Sequence, residues 1–165
     1  MTHLRIALTA LALALIAGIS QSADAGKSAN AVKAPKPGSK AYAAMAKAYQ
    51  ASIAPVFEAK CFDCHSAKTH FPWYYRMPLA KSMIDLDIRK ARKALDLNDG
   101  FPFTGVGTLA DHLSALKDIA ADGSMPPFRY TMIHWSAKLT KAEREMITAW
   151  VDGKLAPPPP PTKKK

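Results

Sequence analysis

Apolar side chains recur at every third or fourth position through the middle of the chain. No alternating Val/Ile/Thr-rich run is long enough for a strand, so the pattern predicts helices alone. Tyr42, Met45, Tyr49 and Ile53 fall on one helical face, and Pro55 predicts a bend or the first turn of a new helix carrying Val56 to Cys61. Ser82 with Asp85 three residues on predicts the start of the next helix. Its Ile84, Ile88, Ala91 and Leu95 line one side against an Asp/Arg/Lys face. Thr108 with Asp111 opens a further helix bearing Leu109, His112, Leu113, Leu116 and Ile119, which Gly123 can end. Thr140 with Glu143 caps a last one presenting Met146, Ile147, Trp150 and Val151, stopped at Gly153. The expectation is an all-α domain over residues 41–154, with four or five short helices joined by long loops. So much loop leaves a thin core, which gains from a group filling its centre.

The flanks differ in composition. Arg5, the apolar run Ile6 to Ile19 and then Ala23-Asp24-Ala25 predict a secretory signal peptide over residues 1–25, too short in its apolar part to span a bilayer. Residues 26–40, rich in Lys, Ala, Ser and Pro, read as a flexible leader, and residues 155–165 as a Pro/Lys-rich tail. Export places the chain in the periplasm, with no transmembrane segment once the signal is removed, and its thiols in an oxidising compartment. Lys and Arg number 23 against 13 Asp and Glu, a formal charge of +10. That excess favours acidic partner proteins and weak contact with anionic membrane surfaces. Nucleic acid is set aside as a partner because of export.

Two cysteines exclude a multi-disulfide scaffold, and their placement is the most informative feature of the chain. Cys61-Phe62-Asp63-Cys64-His65 is a C-x-x-C-H sequence, the attachment motif of a c-type haem. Residues three apart on a helical turn point to one side, so both thiols can meet the two vinyl groups on one porphyrin edge as thioethers. His65, next to the second thiol, is then placed to coordinate the iron. A thioredoxin-type dithiol lacks its βαβ context here, and a structural zinc site lacks a second ligand pair.

For the opposite axial position the candidates are Met125, Met77, Met132, His112, His134 and His70, with an empty or water-filled position as a further alternative. Met125 is the choice. It follows Gly123-Ser124 and precedes Pro126-Pro127, in a stiffened loop far enough along the chain to reach the other face. Trp73, among Phe71, Tyr74 and Tyr75, is placed to line the porphyrin. Arg92, with Arg76 and Arg89, is placed to neutralise propionates. His112 reads as a core histidine before it reads as a propionate partner.

The chain resembles the haem-binding domain family, exported bacterial monohaem cytochrome c-like proteins. The resemblance is carried by Pro55-Val56-Phe57, Cys61 to Ser66, Phe71-Pro72-Trp73-Tyr74, Ala91-Arg92 to Leu95, Gly123 with Met125-Pro126-Pro127, and Leu139-Thr140 through Trp150. It departs from the family pattern near Met77 to Lys81. The resemblance implies a cytochrome c-like bundle of short helices around one covalent haem c, held on Cys61 and Cys64, with His65 proximal and Met125 at the distal position. The resulting expectation is a one-electron carrier with His/Met ligation rather than an enzyme. A haem peroxidase or a small-ligand gas sensor with a displaceable sixth ligand is the alternative.

Overall fold

The computed structural model describes residues 31–155, so the signal peptide over residues 1–25, the first residues of the leader and nearly all of the tail lie outside the described residues. The described chain is helical and without strands; an isolated antiparallel bridge joins Asp96 to Thr104. The all-α expectation is borne out. No helix among the described residues is long and apolar enough to cross a membrane.

Helix α1 (Lys40–Ala48) starts at Ser39, whose side chain accepts a hydrogen bond from the Tyr42 amide. It runs through a π turn, Tyr49–Ile53, into α2 (Ala54–Lys60). Pro55 explains the turn. It has no N–H and its ring crowds the carbonyl four residues back, and the wider π turn, closed by the Ala54 amide on the Tyr49 carbonyl, carries the helix past it. Tyr49, Ile53 and Phe57 stay on the inner face and are buried. Ahead of α1, Val32 and Ala34 pack against the core, and the Val32 amide donates to Ser114 Oγ at 2.8 Å. The packed region therefore begins inside the leader, held by its apolar residues.

Helix α3 (Phe62–His65) is a single turn, and a 3-10 turn, Trp73–Arg76, leads into α4 (Pro78–Ala94). The α4 start corrects the sequence reading. Pro78 occupies the first turn, where its missing N–H is harmless, while Ser82 sits inside the helix with its hydroxyl on the Pro78 carbonyl at 3.0 Å. Asp85 pairs instead with Tyr75 and Lys81. Helix α5 (Leu109–Asp122) has the expected capping box of Thr108 and Asp111, and Gly123 closes it in a left-handed conformation. After one turn, α6 (Phe128–Thr131), and a 3-10 turn, Trp135–Ala137, α7 (Lys141–Val151) opens with the capping box of Thr140 and Glu143.

The core lies where α1, the π turn, α5 and α7 meet. Trp150 is 1% exposed, with its indole N–H on the Met45 carbonyl at 3.0 Å and its ring 5.7–6.0 Å from Tyr49, Phe101 and Phe103. Phe101 and Phe103 come from a loop, and helical periodicity gave no sign of them. By contrast, none of the seventeen residues of α4 is buried. The molecule is thus packed at one end, and α4 runs along its surface beside the cysteine motif.

Candidate functional site

The C-x-x-C-H sequence folds as the single turn expected of it. The Cys61 amide bonds the Phe57 carbonyl at the end of α2, and the amides of Cys64 and His65 both return to the Cys61 carbonyl. The two intervening residues divide the work of fixing this turn. Phe62 is buried and roots it in the core, while the Asp63 carboxylate accepts from the His70 amide and the Tyr130 hydroxyl. Cys61 and Cys64 are both free thiols, each partly accessible. Burial pushes the Cys61 thiol up to about 12 and raises Cys64 as well, so both are neutral at neutral pH.

His65 is held from behind. Its Nδ1 donates to the Leu95 carbonyl at 2.7 Å, and its own carbonyl accepts from the Leu97 amide at 2.9 Å. Leu95 and Leu97 follow α4, so the end of that helix sets the imidazole plane. A proton fixed on Nδ1 leaves the Nε2 lone pair for coordination. Burial lowers the pKa of His65, opposed by the backbone of Leu95, by Asp96 and by the backbone of Ala91, which favours the neutral ring that a metal needs.

Two walls rise beside the motif. On α4, Leu79, Met83 and Asp87 are spaced four apart and share a stripe with Leu86, and all three apolar members are exposed. On the other side the segment after Met125 carries exposed Phe128, Met132, Ile133 and Trp135. It is tied back by Arg129 to Asp87 at 2.5 Å and by Tyr130 to Asp63 at 3.0 Å. His134 stacks on Tyr130 with ring centroids 4.2 Å apart, and its Nε2 lies 3.5 Å from the Tyr74 hydroxyl.

This arrangement fits a haem: two thiols and a coordinating imidazole on one turn, with flat and flexible apolar side chains on both flanks. Trp73 is 82% exposed, with its ring edge-on to Tyr74 at 5.7 Å. Met125 is 40% exposed, in the loop between α5 and α6. Met77 and Met132 are more exposed and cap the ends of α4 and α6. The Arg92 Nε is committed to Asp96 at 3.0 Å, and Arg92 lines, with Arg89, Ser66 and Thr69, a cleft of about 300 Å³ beside the motif. His70 pairs with Asp63 on the motif's own side rather than crossing it. His112 is buried on α5, 5% exposed, with Nε2 on the Val106 carbonyl at 3.2 Å and Nδ1 without a partner among the described residues.

Sequence reasoning missed the Leu95 carbonyl, the Asp63–Tyr130 and Asp87–Arg129 ties, and the apolar stripe of α4. Of these, only the stripe left a trace, in the spacing of Leu79, Met83 and Leu86.

The sequence profile of the haem-binding domain family matches residues 18–153. Over 100 residues the chain is 33% identical to the cytochrome c peroxidase Ccp of Escherichia coli (strain K12), a match that takes in 57% of this chain and 21% of that protein. The chain thus spans about a fifth of the length of that curated relative. No solved structure matches the chain.

Proposed function

The chain belongs to the haem-binding domain family, and on that footing we propose that it is a periplasmic monohaem c-type cytochrome that carries one electron at a time. The observation that carries this reading is His65: a neutral imidazole beside two free thiols, its Nδ1 fixed on the Leu95 carbonyl and its Nε2 left for a metal. When bound, the haem supplies a ferric/ferrous couple, and the protein tunes it through the axial ligands and the dielectric around them.

The chain's own residues have separable tasks. Cys61 and Cys64 anchor the porphyrin edge through thioether bonds, and Phe62 keeps their turn rooted in the core. Met125 would supply a soft neutral thioether to the iron, which would favour the ferrous state and leave no position for a substrate. The apolar side chains of α4 and of the segment after Met125 exclude water from the ring faces. Arg89 and Arg92, at the cleft beside the motif, offset propionate charge. The lysine-rich surface steers docking on acidic redox partners.

The named relative also raises the peroxidase reading, or that of a small-ligand sensor, in which the sixth position stays open. Two observations favour the carrier. His134 has both ring nitrogens engaged, Nδ1 on the Tyr130 carbonyl and Nε2 near Tyr74, and His112 is buried on α5. Neither is poised as a distal acid–base group. Optical spectroscopy separates the two readings. The carrier requires a thioether-to-ferric-iron charge-transfer band that disappears in Met125→Ala. Rapid carbon monoxide or peroxide binding by the unaltered protein, with no such band, overturns it.

A further inference from the structure

We propose that Asp63 and Asp87 form a two-point clasp on the segment that carries Met125, gripping it through Tyr130 and Arg129, and that this clasp determines whether the sixth position at the iron stays closed. The inference rests on the reading of Met125 above and deepens it by naming what holds that residue in place.

The loop has little of its own to hold it. Its upstream end is fixed where the Ser124 amide donates to Asp122 Oδ1 at 2.8 Å, at the end of α5. Downstream, α6 is one turn long with no buried residue, so packing does not anchor it. The two side-chain ties do. Arg129 Nη2 donates to Asp87 Oδ1 at 2.5 Å, and the Tyr130 hydroxyl donates to Asp63 Oδ2 at 3.0 Å. Neutral-to-charged hydrogen bonds of the second kind are among the stronger and more directional ones, whereas an exposed ion pair like the first is weak and screened.

The two carboxylates stand on different elements. Asp63 sits inside the C-x-x-C-H turn, immediately before Cys64, and Asp87 lies on the exposed stripe of α4. Arg129 and Tyr130 are neighbours in sequence, so one short turn is tied at once to α4 and to the motif turn beside Cys64. Arg129 lies four positions after Met125, and extended chain covers at most about 14 Å over that span. Holding Arg129 and Tyr130 therefore confines Met125 to the vicinity of the motif. The ring of His134 stacked on Tyr130, with Tyr74 beyond it, keeps the phenol aimed at Asp63.

Tyr130 and Arg129 are positioning residues on this account, since they act through Met125 and not on the iron. Tyr130→Phe removes the hydroxyl and keeps the ring on His134. Asp87→Asn weakens the second tie. Both variants, with Lys117→Met as an ion-pair control between α5 and α7, are made as haem-loaded protein in a host with cytochrome maturation. Ferric spectra and the rate of carbon monoxide binding to the ferrous protein are then compared at equal haem content.

The expected result is loss of at least half of the thioether band in Tyr130→Phe, and carbon monoxide binding at least tenfold faster. Asp87→Asn shows a smaller shift in the same direction, the two effects combine in the double variant, and Lys117→Met matches the unaltered protein. General loosening is separated by far-ultraviolet circular dichroism, which stays unchanged. A full band and unaltered binding rate in the Tyr130→Phe, Asp87→Asn double variant overturn the clasp and leave Met125 as ligand. No thioether band in the unaltered protein overturns the axial reading itself, and the clasp with it.

Discussion

Gly105 is the position where a single methyl group tests how the imidazole of His65 is supported. Its φ is +123°, a backbone conformation rarely open to L side chains, and a Cβ built there meets the Ala94 carbonyl oxygen at 2.8 Å and the Leu95 nitrogen at 3.1 Å. That peptide lies directly before the Leu95 carbonyl on which His65 Nδ1 is fixed. Gly105→Ala thus carries two costs. The backbone region costs about 1–3 kcal/mol for a non-glycine residue, and displacing a packed peptide typically costs ~1–3 kcal/mol more. A total of about 3 kcal/mol is expected, against native stabilities of about 5–15 kcal/mol, so the variant still folds.

Gly38→Ala is the control. It also has a positive φ, +79°, but a Cβ there meets nothing within 4 Å, and the backbone term alone is about 1–2 kcal/mol. Urea titrations read both, with ΔΔG taken from the midpoint shift at constant slope, an expected shift of about 1–3 M for Gly105→Ala at slopes of ~1–3 kcal/mol/M. Since the Leu95 carbonyl raises the donor strength of the ring, loosening it should also raise the reduction potential of the haem-loaded protein, an effect Gly38→Ala does not share. If Gly105→Ala falls within about 0.5 kcal/mol of the control and leaves the potential unmoved, the close approach at Ala94 is not what holds His65.

Other outcomes follow from particular contacts. Trp150→Phe removes the indole donor from the Met45 carbonyl, which keeps the Tyr49 amide, and should cost about 0.5–1.5 kcal/mol in urea melts for that bond, while haem content at expression stays unchanged because that contact is remote from the motif. Lys117 lies 2.7 Å from Asp152, whose carboxyl it holds below the usual range together with Lys154, and both members of the pair are less than a third exposed. A depressed carboxyl pKa stabilises the fold above the unfolded value of about 3.9 and ceases to do so as pH falls through the folded value. Lys117→Met should therefore lower stability by about 0.5–1 kcal/mol near neutral pH, and equal melting curves at pH 7 contradict this. The deficit should shrink as pH falls below the unfolded value of about 3.9 and vanish once Asp152 is protonated in the folded state as well. Electron delivery to an acidic partner should slow severalfold between low and physiological salt, as screening shortens to about 8 Å; a salt-independent rate removes the steering role of the lysines.

What the sequence made legible was local. The capping boxes at Thr108/Asp111 and Thr140/Glu143 occupy four consecutive positions each, and both open helices where expected. The C-x-x-C-H turn is read from five consecutive residues for the same reason. The start of α4 was misplaced because Ser82 and Asp85 imitate a capping box, while the actual start uses Pro78 after an N-cap, Met77, that makes no side-chain bond. The π turn before Pro55 has no pattern of its own. Phe101 and Phe103 were overlooked as core because they pack from a loop, outside any helical repeat. The support of His65 comes from a backbone carbonyl thirty residues away, and the Asp63–Tyr130 bond spans 67 residues. Neither leaves a local signature, so both became visible only once the chain was folded.

The central claim is that a single haem is joined to the chain through Cys61 and Cys64, with His65 beside them as ligand. Intact mass spectrometry of the protein expressed with cytochrome maturation machinery, after denaturation and treatment with a thiol-alkylating reagent, tests it most directly. The predicted result is a mass increase of one haem with no alkyl group added. It should disappear when Cys61→Ala and Cys64→Ala are combined. A chain without added haem mass, carrying two alkyl groups, contradicts the account.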